Sequence, residues 1–293
     1  MDLLEELSFK FKQGNAVIKI ILINLVVYLV FSLLGLLLFL FNQQALQGTA
    51  IKFLMLPASL GNFLTQPWSL FTYMFLHVGF FHLLFNMLCL YWLGNLFQQY
   101  LGNGKTYQAY ILGGLFGGLV YIISFNLFPA FGNQAEKSSA LGASAGVLSL
   151  VVATATLLPD YPVSLFLFGQ IKLKYIALVW VLLDLISIPN GNAGGHIGHV
   201  GGAAFGYFFI KLIYSKSAFP DKIDAIFNGT ANVFKPKSKV KIFHKSNTSQ
   251  ASVQTKSKPN QQQIDQILDK ISKNGYESLS QKEKEILFTA SKD

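Results

Sequence analysis

The sequence predicts an all-α, polytopic membrane protein, and three observations point to this fold class. Hydrophobic residues make up 52% of the 293 residues and charged residues only 13%, which is about half the charged fraction of an average soluble chain. The apolar residues are concentrated in runs close to the ~20 residues that a helix needs to cross a bilayer. Glycine, proline and asparagine separate the runs and predict turns between them.

Six apolar runs predict six transmembrane helices. The first contains no charge and is too long for the core of a signal peptide. The fifth is the weakest, because Asp184 interrupts it. The runs cover residues 20–41, 78–101, 106–128, 142–158, 175–188 and 195–214.

Lysine placement predicts the orientation of these spans. If the N-terminus is inside, the outer loops hold only Lys52 and Lys137, as the positive-inside rule requires. Both termini are therefore predicted to be cytoplasmic. The lysines of the inner segments, apart from the tail, are Lys10, Lys12, Lys19, Lys105, Lys172 and Lys174.

The first outer connection, residues 42–77, is long. Its apolar stretch at 51–68 is too short and too broken to span a bilayer. We expect this stretch to lie in the headgroup region, with Trp68 and Tyr73 as aromatic anchors. His77 is expected to be interfacial.

The formal net charge of +9 does not predict a nucleic-acid partner. Every basic residue is lysine, and the absence of arginine argues against bidentate recognition of guanine or phosphate. Much of the charge lies in the tail from Lys216 onward, where it suits the anionic inner surface of a membrane. The lone Cys89 supports neither a disulfide framework nor a cysteine metal site.

Polar residues within the spans are the candidate functional residues, because they are costly in a bilayer. On the predicted topology the second, fourth and sixth spans all run from outside to inside. At ~1.5 Å per residue, their polar residues share a depth of roughly 5–12 Å below the outer boundary. The candidates that stand out are His82 and Asn86 in the second span, Ser144 in the fourth, Asp184 in the fifth, and His196 and His199 in the sixth.

These residue types suit nucleophilic catalysis. A serine hydroxyl needs an imidazole within hydrogen-bond reach to take its proton. His82 and Asn86 share a helix face and, with the backbone N–H of Ser144, could hold an oxyanion. Glycines at four-residue spacing let the helices approach closely. Those glycines are Gly142, Gly146, Gly202 and Gly206.

A simpler interpretation of the same residues is structural. Glycine spacing alone occurs in many membrane helices, and His82 with Asn86 could serve as hydrogen-bonding contacts between helices. Residues 142–146 also match G-x-S-x-G, but the nucleophile elbow of α/β-hydrolases needs a preceding strand. Here the polar loop 133–139 leads into an apolar run, so the hydrolase interpretation is rejected.

The chain resembles the rhomboid proteases over residues 15–215. The resemblance is carried by HxxxN at His82–Asn86, GxS at Gly142–Ser144 and HxxGxxxG at His199–Gly206, in order on the second, fourth and sixth spans. It implies a six-helix core, a Ser–His dyad without a carboxylate and cleavage of peptide bonds in or near transmembrane helices. Ser144 would then be the nucleophile and His199 the general base.

The resemblance also implies roles for the remaining residues. His82 and Asn86 would support the oxyanion, and no metal or cofactor is expected. Partners would be transmembrane protein substrates and the lipid bilayer, in the bacterial inner membrane, with the active site open to the outer side. Leu148 stands where many rhomboids have an aromatic residue beside the histidine, so the dyad is expected to be supported differently.

Two further residues have less specific expectations. His196 lacks the glycines that follow His199 and is expected to lie in a loop or beside the site. Asp184 lies at a depth compatible with the site, and we expect it to have a packing or hydrogen-bonding role.

Two other functions remain open at this point. A catalytically silent rhomboid-like protein would bind transmembrane clients without cutting them, although the presence of both Ser144 and His199 argues against this. A transporter or channel could use His82, Asp184 and His199 as a proton path. Transporters often show repeated halves, which this sequence does not show.

The predicted organisation has four parts. Residues 1–16 form a cytoplasmic segment, 17–215 the membrane domain, 216–263 a linker rich in lysine, serine and glutamine, and 264–293 a small helical hairpin. In the hairpin, Gly275 ends the first helix, and Ser280 with Glu283 forms a capping box for the second. The hairpin could bind a cytoplasmic partner.

Overall fold

The computed structural model describes residues 14–165, 169–215, 223, 225, 227 and 261–290. The chain divides into two units, residues 1–236 and 237–293. Residues 1–13 of the predicted N-terminal segment and most of the predicted 216–263 linker lie outside the described residues.

The first unit is mostly helical. Each of the six apolar runs overlaps one of its helices. The helices are α1 (Ala16–Leu40), α2 (Gln44–Leu54), α3 (Leu60–Thr65), α4 (Ser69–Thr72), α5 (Phe80–Cys89), α6 (Asn95–Leu127), α7 (Ser144–Leu157), α8 (Leu173–Ser187) and α9 (Ala193–Ile213).

Short strands join the helices in two places. Strands β1 (Leu56–Pro57) and β2 (Ser139–Ala140) pair antiparallel, as do β3 (Pro162–Leu165) and β4 (Gly169–Lys172). The sequence predicted a loop leading directly to Ser144, whereas β2 ends only a few residues before it. A ladder of two residues is not the parallel sheet that carries a hydrolase elbow.

Three helices of the described residues satisfy the length and hydropathy of a membrane span. These are Ala16–Leu40, Phe80–Leu127 and Leu173–Asn190, and Ser144–Leu157 is a shorter apolar helix. Helix α1 exposes large apolar side chains such as Val26 and Leu40. Such a surface is unfavourable in water and suits lipid, so the fold is that of a membrane protein.

The second and third runs form one long helical segment broken at Gly102. One π-helical turn, Leu90–Gly94, joins α5 to α6. Within α6, Gly102 has φ +75°, a left-handed conformation that glycine adopts without strain. The break therefore falls where the Gly102–Gly104 sequence predicted a turn.

Helices α6, α7 and α9 form the centre of the first unit, and glycines bring them close together. A Cβ atom built on Gly202 would lie 2.1 Å from the carbonyl oxygen of Ala145, and one on Gly206 would lie 2.1 Å from that of Ser149. On α7, a Cβ on Gly146 would lie 2.6 Å from the carbonyl oxygen of Tyr110. These backbones approach so closely only because the side chains are absent.

Gly202→Ala is expected to destabilise the bundle. The added methyl overlaps a backbone carbonyl, so α7 and α9 have to separate, at about 1–3 kcal/mol or more. Gly48→Ala is the matched control, because a Cβ there meets nothing within 4 Å, and alanine favours a helix by up to ~1 kcal/mol. Thermal unfolding in detergent would measure both, and equal melting temperatures for the two variants would contradict the packing argument.

The segment before α5 is more deeply buried than the sequence suggested. Tyr73 was predicted to be an interfacial anchor, but it is buried and its hydroxyl donates to the carbonyl of Gly114 at 2.6 Å. Trp68 is 40% exposed, and its indole N–H donates to the carbonyl of Phe53 at 2.9 Å. The carbonyl of Tyr73 also accepts from the N–H of Gly142 at 2.9 Å, so hydrogen bonds to α6 and to the turn before α7 hold Tyr73 inside the bundle.

The second unit contains helices α10 (Gln261–Asn274) and α11 (Gln281–Ala290). Gly275 follows α10 with φ +76°. The backbone N–H of Ser280 donates to the Glu283 carboxylate at 2.7 Å, and the N–H of Glu283 donates to the Ser280 hydroxyl at 3.4 Å. Lys270 Nζ lies 2.9 Å from the same carboxylate.

Glu283→Gln is expected to loosen α11 at neutral pH. Hydrogen bonds from Ser280, with Lys270 beside them, lower the pKa of Glu283 to about 2. A carboxyl whose folded pKa is depressed stabilises the fold above its ordinary pKa, and that contribution is lost as pH falls from about 4.5 toward 2. Hydrogen exchange of residues 281–290 should therefore differ between wild type and variant at pH 7, and the difference should shrink below pH 4.5. A difference independent of pH would contradict the capping role.

Candidate active site

Four of the predicted site residues line one cavity of about 270 Å³ in the first unit. Helix α5 contributes His82 and Asn86, α7 contributes Ser144, and α9 contributes His199. The remaining lining residues are mostly apolar, namely Phe81, Phe85, Cys89, Val147, Leu148 and Trp180. The cavity therefore has a small cluster of polar side chains beside an apolar surface, and that surface could contact apolar side chains of a bound polypeptide.

Ser144 is positioned by a turn at Gly142. Gly142 has φ +123°, which strains any residue with a side chain, and its N–H donates to the carbonyl of Tyr73 at 2.9 Å. Helix α7 then begins at Ser144, so the serine stands in the first turn, where backbone N–H groups have no intrahelical acceptor. Gly142 was predicted to serve helix packing, but it lies before the helix rather than within it.

The His82 ring packs closely against Gly142, beside Ser144. A Cβ atom built on Gly142 would lie 2.7 Å from His82 Cε1, 3.0 Å from His82 Nε2 and 3.7 Å from Ser144 Oγ. Only glycine therefore lets the imidazole approach the turn that precedes Ser144 so closely. This approach brings an imidazole nitrogen, a possible hydrogen-bond donor, near the serine hydroxyl.

Asn86 adds an amide to the same cavity. It is buried, and its side-chain N–H₂ donates to the carbonyl of His82 at 2.8 Å. An amide nitrogen has two donors, so this bond orients the group and leaves a second hydrogen for another acceptor.

His199 is held by Asp184 of α8. His199 Nδ1 lies 3.0 Å from Asp184 Oδ1, and His196 Nδ1 lies 2.7 Å from the same oxygen. His196 belongs to α9, one turn before His199, so it is part of the helix and lies beside the site. Both interactions are made on the Nδ1 side of the imidazole rings, which leaves Nε2 of His199 for other contacts.

Ser144 and His199 line the same cavity, but these two described side chains make no hydrogen bond to each other. Catalytic hydrogen bonds are often long in the absence of substrate and shorten when it binds. The geometry therefore brings the side chains of Ser144 and His199 to one cavity without a hydrogen bond between them.

His77 is a neighbour of the site that the sequence placed at the interface. Its side chain is buried, its ring packs edge-on against His82 at 5.0 Å, and its Nε2 accepts a long hydrogen bond (3.5 Å) from the N–H of Ala143. Burial, with His82 beside it, lowers the pKa of His77 to about 4. A neutral imidazole at pH 7 can accept this bond just before the start of α7.

Among the described residues, Asp184, His196 and His199 form a group that could hold a cation, with ligand atoms within 4.8 Å of one another. The distances of 2.7 and 3.0 Å from Asp184 Oδ1 to the two Nδ1 atoms are those of hydrogen bonds. A protonated Nδ1 on each ring accounts for both short distances to Oδ1.

Comparison with known proteins identifies the family. Residues 64–216, more than half of the chain, match the family model of the Rhomboid domain. The chain belongs to the rhomboid family. All four cavity residues described above, Ser144, His199, His82 and Asn86, fall within the matched rhomboid domain. Residues 253–293 match a family of unknown function, DUF6576.

Curated relatives of this rhomboid are similar over part of their length. RHOMBOID-like protein 7 of Arabidopsis thaliana is 27% identical over 59% of this chain and 51% of its own. The mitochondrial RHOMBOID-like protein 12 of the same plant is 26% identical over 56% and 50%. Rhomboid protease GluP of Bacillus subtilis is 27% identical over 48% and 25%. This rhomboid thus spans about half, or less, of the length of the curated relatives it matches.

The sequence pointed to most of the residues at this rhomboid site but missed some of their contacts. His77 was treated as interfacial, and Asp184 was assigned no specific partner. A signal for Asp184 was present, because a carboxylate inside an apolar run requires a partner. Nothing in the sequence indicated that the partners are His196 and His199 together.

Proposed function

We propose that this rhomboid is an intramembrane serine endopeptidase that cuts peptide bonds in or near transmembrane helices. The observation that carries the proposal is the single cavity shared by Ser144, His199, His82 and Asn86. The name of one relative, Rhomboid protease GluP, supports it.

Ser144 and His199 carry the covalent chemistry in this proposal. Ser144 Oγ attacks the carbonyl carbon of the scissile bond, and His199 Nε2 takes the hydroxyl proton. The C–N bond breaks as His199 returns the proton to the leaving amine. Water then attacks the acyl-enzyme carbonyl while His199 takes its proton. His199 returns that proton to Ser144 Oγ as the ester bond breaks and the acid product leaves.

The oxyanion of the tetrahedral intermediate is held by His82, Asn86 and the backbone N–H of Ser144. The close approach of the His82 ring to Gly142, beside Ser144, supports this position. Donors set in place before the reaction stabilise the developing charge without reorganisation, and one such donor is worth about 10²–10³ in kcat.

The membrane arrangement follows the lysine distribution. We infer six spans with both termini cytoplasmic in the bacterial inner membrane, which opens the cavity to the outer side. Residues 1–16 form a cytoplasmic segment, 17–215 the catalytic domain, 216–263 a linker and 264–293 a helical hairpin for a cytoplasmic partner.

The substrates are transmembrane proteins whose helices unwind readily near the outer membrane face. A peptide bond within an intact helix is shielded from attack, because its carbonyl is hydrogen-bonded in the helix. Helix-breaking residues lower the cost of exposing that bond. Equal cleavage of stably helical spans would contradict this substrate preference.

The test is cleavage of a panel of single-span substrates by purified protein in liposomes, together with labelling by a fluorophosphonate. A protease releases defined fragments, and mass spectrometry finds the label on Ser144. If the protein binds these substrates but neither cuts them nor takes up the label, the protease proposal is wrong and a client-binding function replaces it.

A further inference from the structure

The carboxylate of Asp184 accepts from two imidazole rings through one oxygen. Asp184 Oδ1 lies 3.0 Å from His199 Nδ1 and 2.7 Å from His196 Nδ1. The aspartate is on α8 and both histidines are on α9, so the cluster joins two helices. The side chain of Asp184 is only 6% exposed.

Burial of this carboxylate needs compensation. A buried charge without partners is strongly unfavourable, and Asp184 Oδ2 has no hydrogen-bond partner within the part of the chain that the structure describes. Oδ1 is therefore the oxygen through which the two rings stabilise the group. Each bond requires a proton on Nδ1 of the ring that donates it.

This requirement determines the tautomer of His199. With the proton on Nδ1, a neutral ring carries its free lone pair on Nε2, the nitrogen on the far side of the ring from Asp184. His199 lines the Ser144 cavity, and a base for the serine needs a lone pair on that nitrogen. The hydrogen bond to Asp184 on α8 orients this ring, and the ring of His196 packs edge-on against it at 6.1 Å between ring centroids.

We propose that Asp184 is a positioning residue that holds His199 as the Nδ1–H tautomer, so that Ser144, His199 and Asp184 form a triad in which Asp184 orients the base and takes no proton. This inference rests on the proposed protease function. His196 is the second hydrogen-bond partner of the carboxylate and is not among the residues that line the Ser144 cavity. The Ser–His dyad predicted from the sequence is thereby extended by a third group from α8.

The variants that test this proposal are Asp184→Ala, Asp184→Asn and Asp184→Glu. For Asp184→Ala we expect kcat to fall by about 10²-fold or more, with KM within about threefold, because the residue acts through the base rather than on substrate. Asp184→Asn should have a kcat no higher than that of Asp184→Ala, because an amide can donate to Nδ1 and favour the opposite tautomer. Asp184→Glu keeps an acceptor and should recover part of the lost activity.

A readout independent of activity separates this inference from the proposed function. Nitrogen-15 NMR of histidine-labelled protein reports which ring nitrogen carries the proton, and the His199 signals are assigned by their loss in His199→Gln. We expect Nδ1–H in wild type and a mixture or the reverse in Asp184→Ala. Thr154→Val, a buried position on α7 outside the cavity, controls for general loss of packing through its melting temperature and kcat.

Each combination of results has a consequence. A tautomer unchanged by Asp184→Ala, or a kcat within threefold of wild type, overturns the positioning role. The positioning role is also overturned if kcat falls in all three aspartate variants only in proportion to the fall in melting temperature. Thr154→Val shows how much kcat falls for a given fall in melting temperature when only packing is lost. The wild-type protein could instead show the Nδ1–H tautomer at His199 but neither cut substrates nor take up the fluorophosphonate. That result would support the geometry of the ring and contradict the proposed protease function.

Discussion

Ser144→Ala is expected to abolish substrate cleavage and fluorophosphonate labelling, a loss of more than about 10³-fold in kcat. The hydroxyl is the nucleophile of the proposed reaction, and no other hydroxyl lines the cavity among the described residues. The methyl of alanine fits the same space at the start of α7. The melting temperature should therefore change little while the activity disappears.

Ser149→Ala is the matched control on the same helix. Its hydroxyl is buried and donates to the carbonyl of Ala109 at 2.8 Å, away from the cavity. Its loss should cost about 1 kcal/mol of stability and leave the label on Ser144. If Ser144→Ala keeps cutting single-span substrates at the wild-type rate, Ser144 is not the nucleophile and the site assignment is wrong.

His199→Ala is expected to lose activity by about 10³-fold or more, because the serine then has no base to take its proton. His196→Ala is expected to retain activity. The two histidines are one turn apart on α9 and share Asp184 as partner, but of the two only His199 lines the cavity. Comparing the two variants therefore distinguishes proton transfer by the histidine from hydrogen bonding to the Asp184 carboxylate.

The measurement is the rate of fluorophosphonate labelling, which depends on activation of the serine and not on recognition of a protein substrate. Cleavage of the best substrate of the panel, measured in parallel, reports the complete reaction. Loss of labelling in His196→Ala with retention in His199→Ala would reverse the assignment of the base. Equal losses in both variants would instead indicate that the two rings act as one unit.

Much of the fold could be predicted from short stretches of the sequence. Apolar runs predict helices because a buried backbone in lipid must satisfy its own hydrogen bonds, and each of the six runs overlaps a helix in the structure. The break at Gly102 and the capping of α11 by Ser280 and Glu283 follow equally local rules. These features depend on a few neighbouring residues, so no long-range information is needed to predict them.

The polar residues of the site could be selected from the sequence for a related reason. A bilayer leaves few places for a serine, an asparagine or a histidine, so their presence in an apolar run is informative. Matched depth on three helices indicated that Ser144, His82 and His199 lie at one level. Their shared cavity is a property of how α5, α7 and α9 pack, which depth alone does not determine.

By itself, the sequence determined the class of the protein, the helices and the residue types of the site, because periodicity, composition and the rhomboid motifs are local signals. Only the tertiary structure decided what those residues contact. Tyr73 and His77 are buried because their segment packs against α6 and against the turn that precedes α7. Asp184 meets His199 because α8 packs beside α9, and contacts between helices depend on rotation and approach that no single helix encodes.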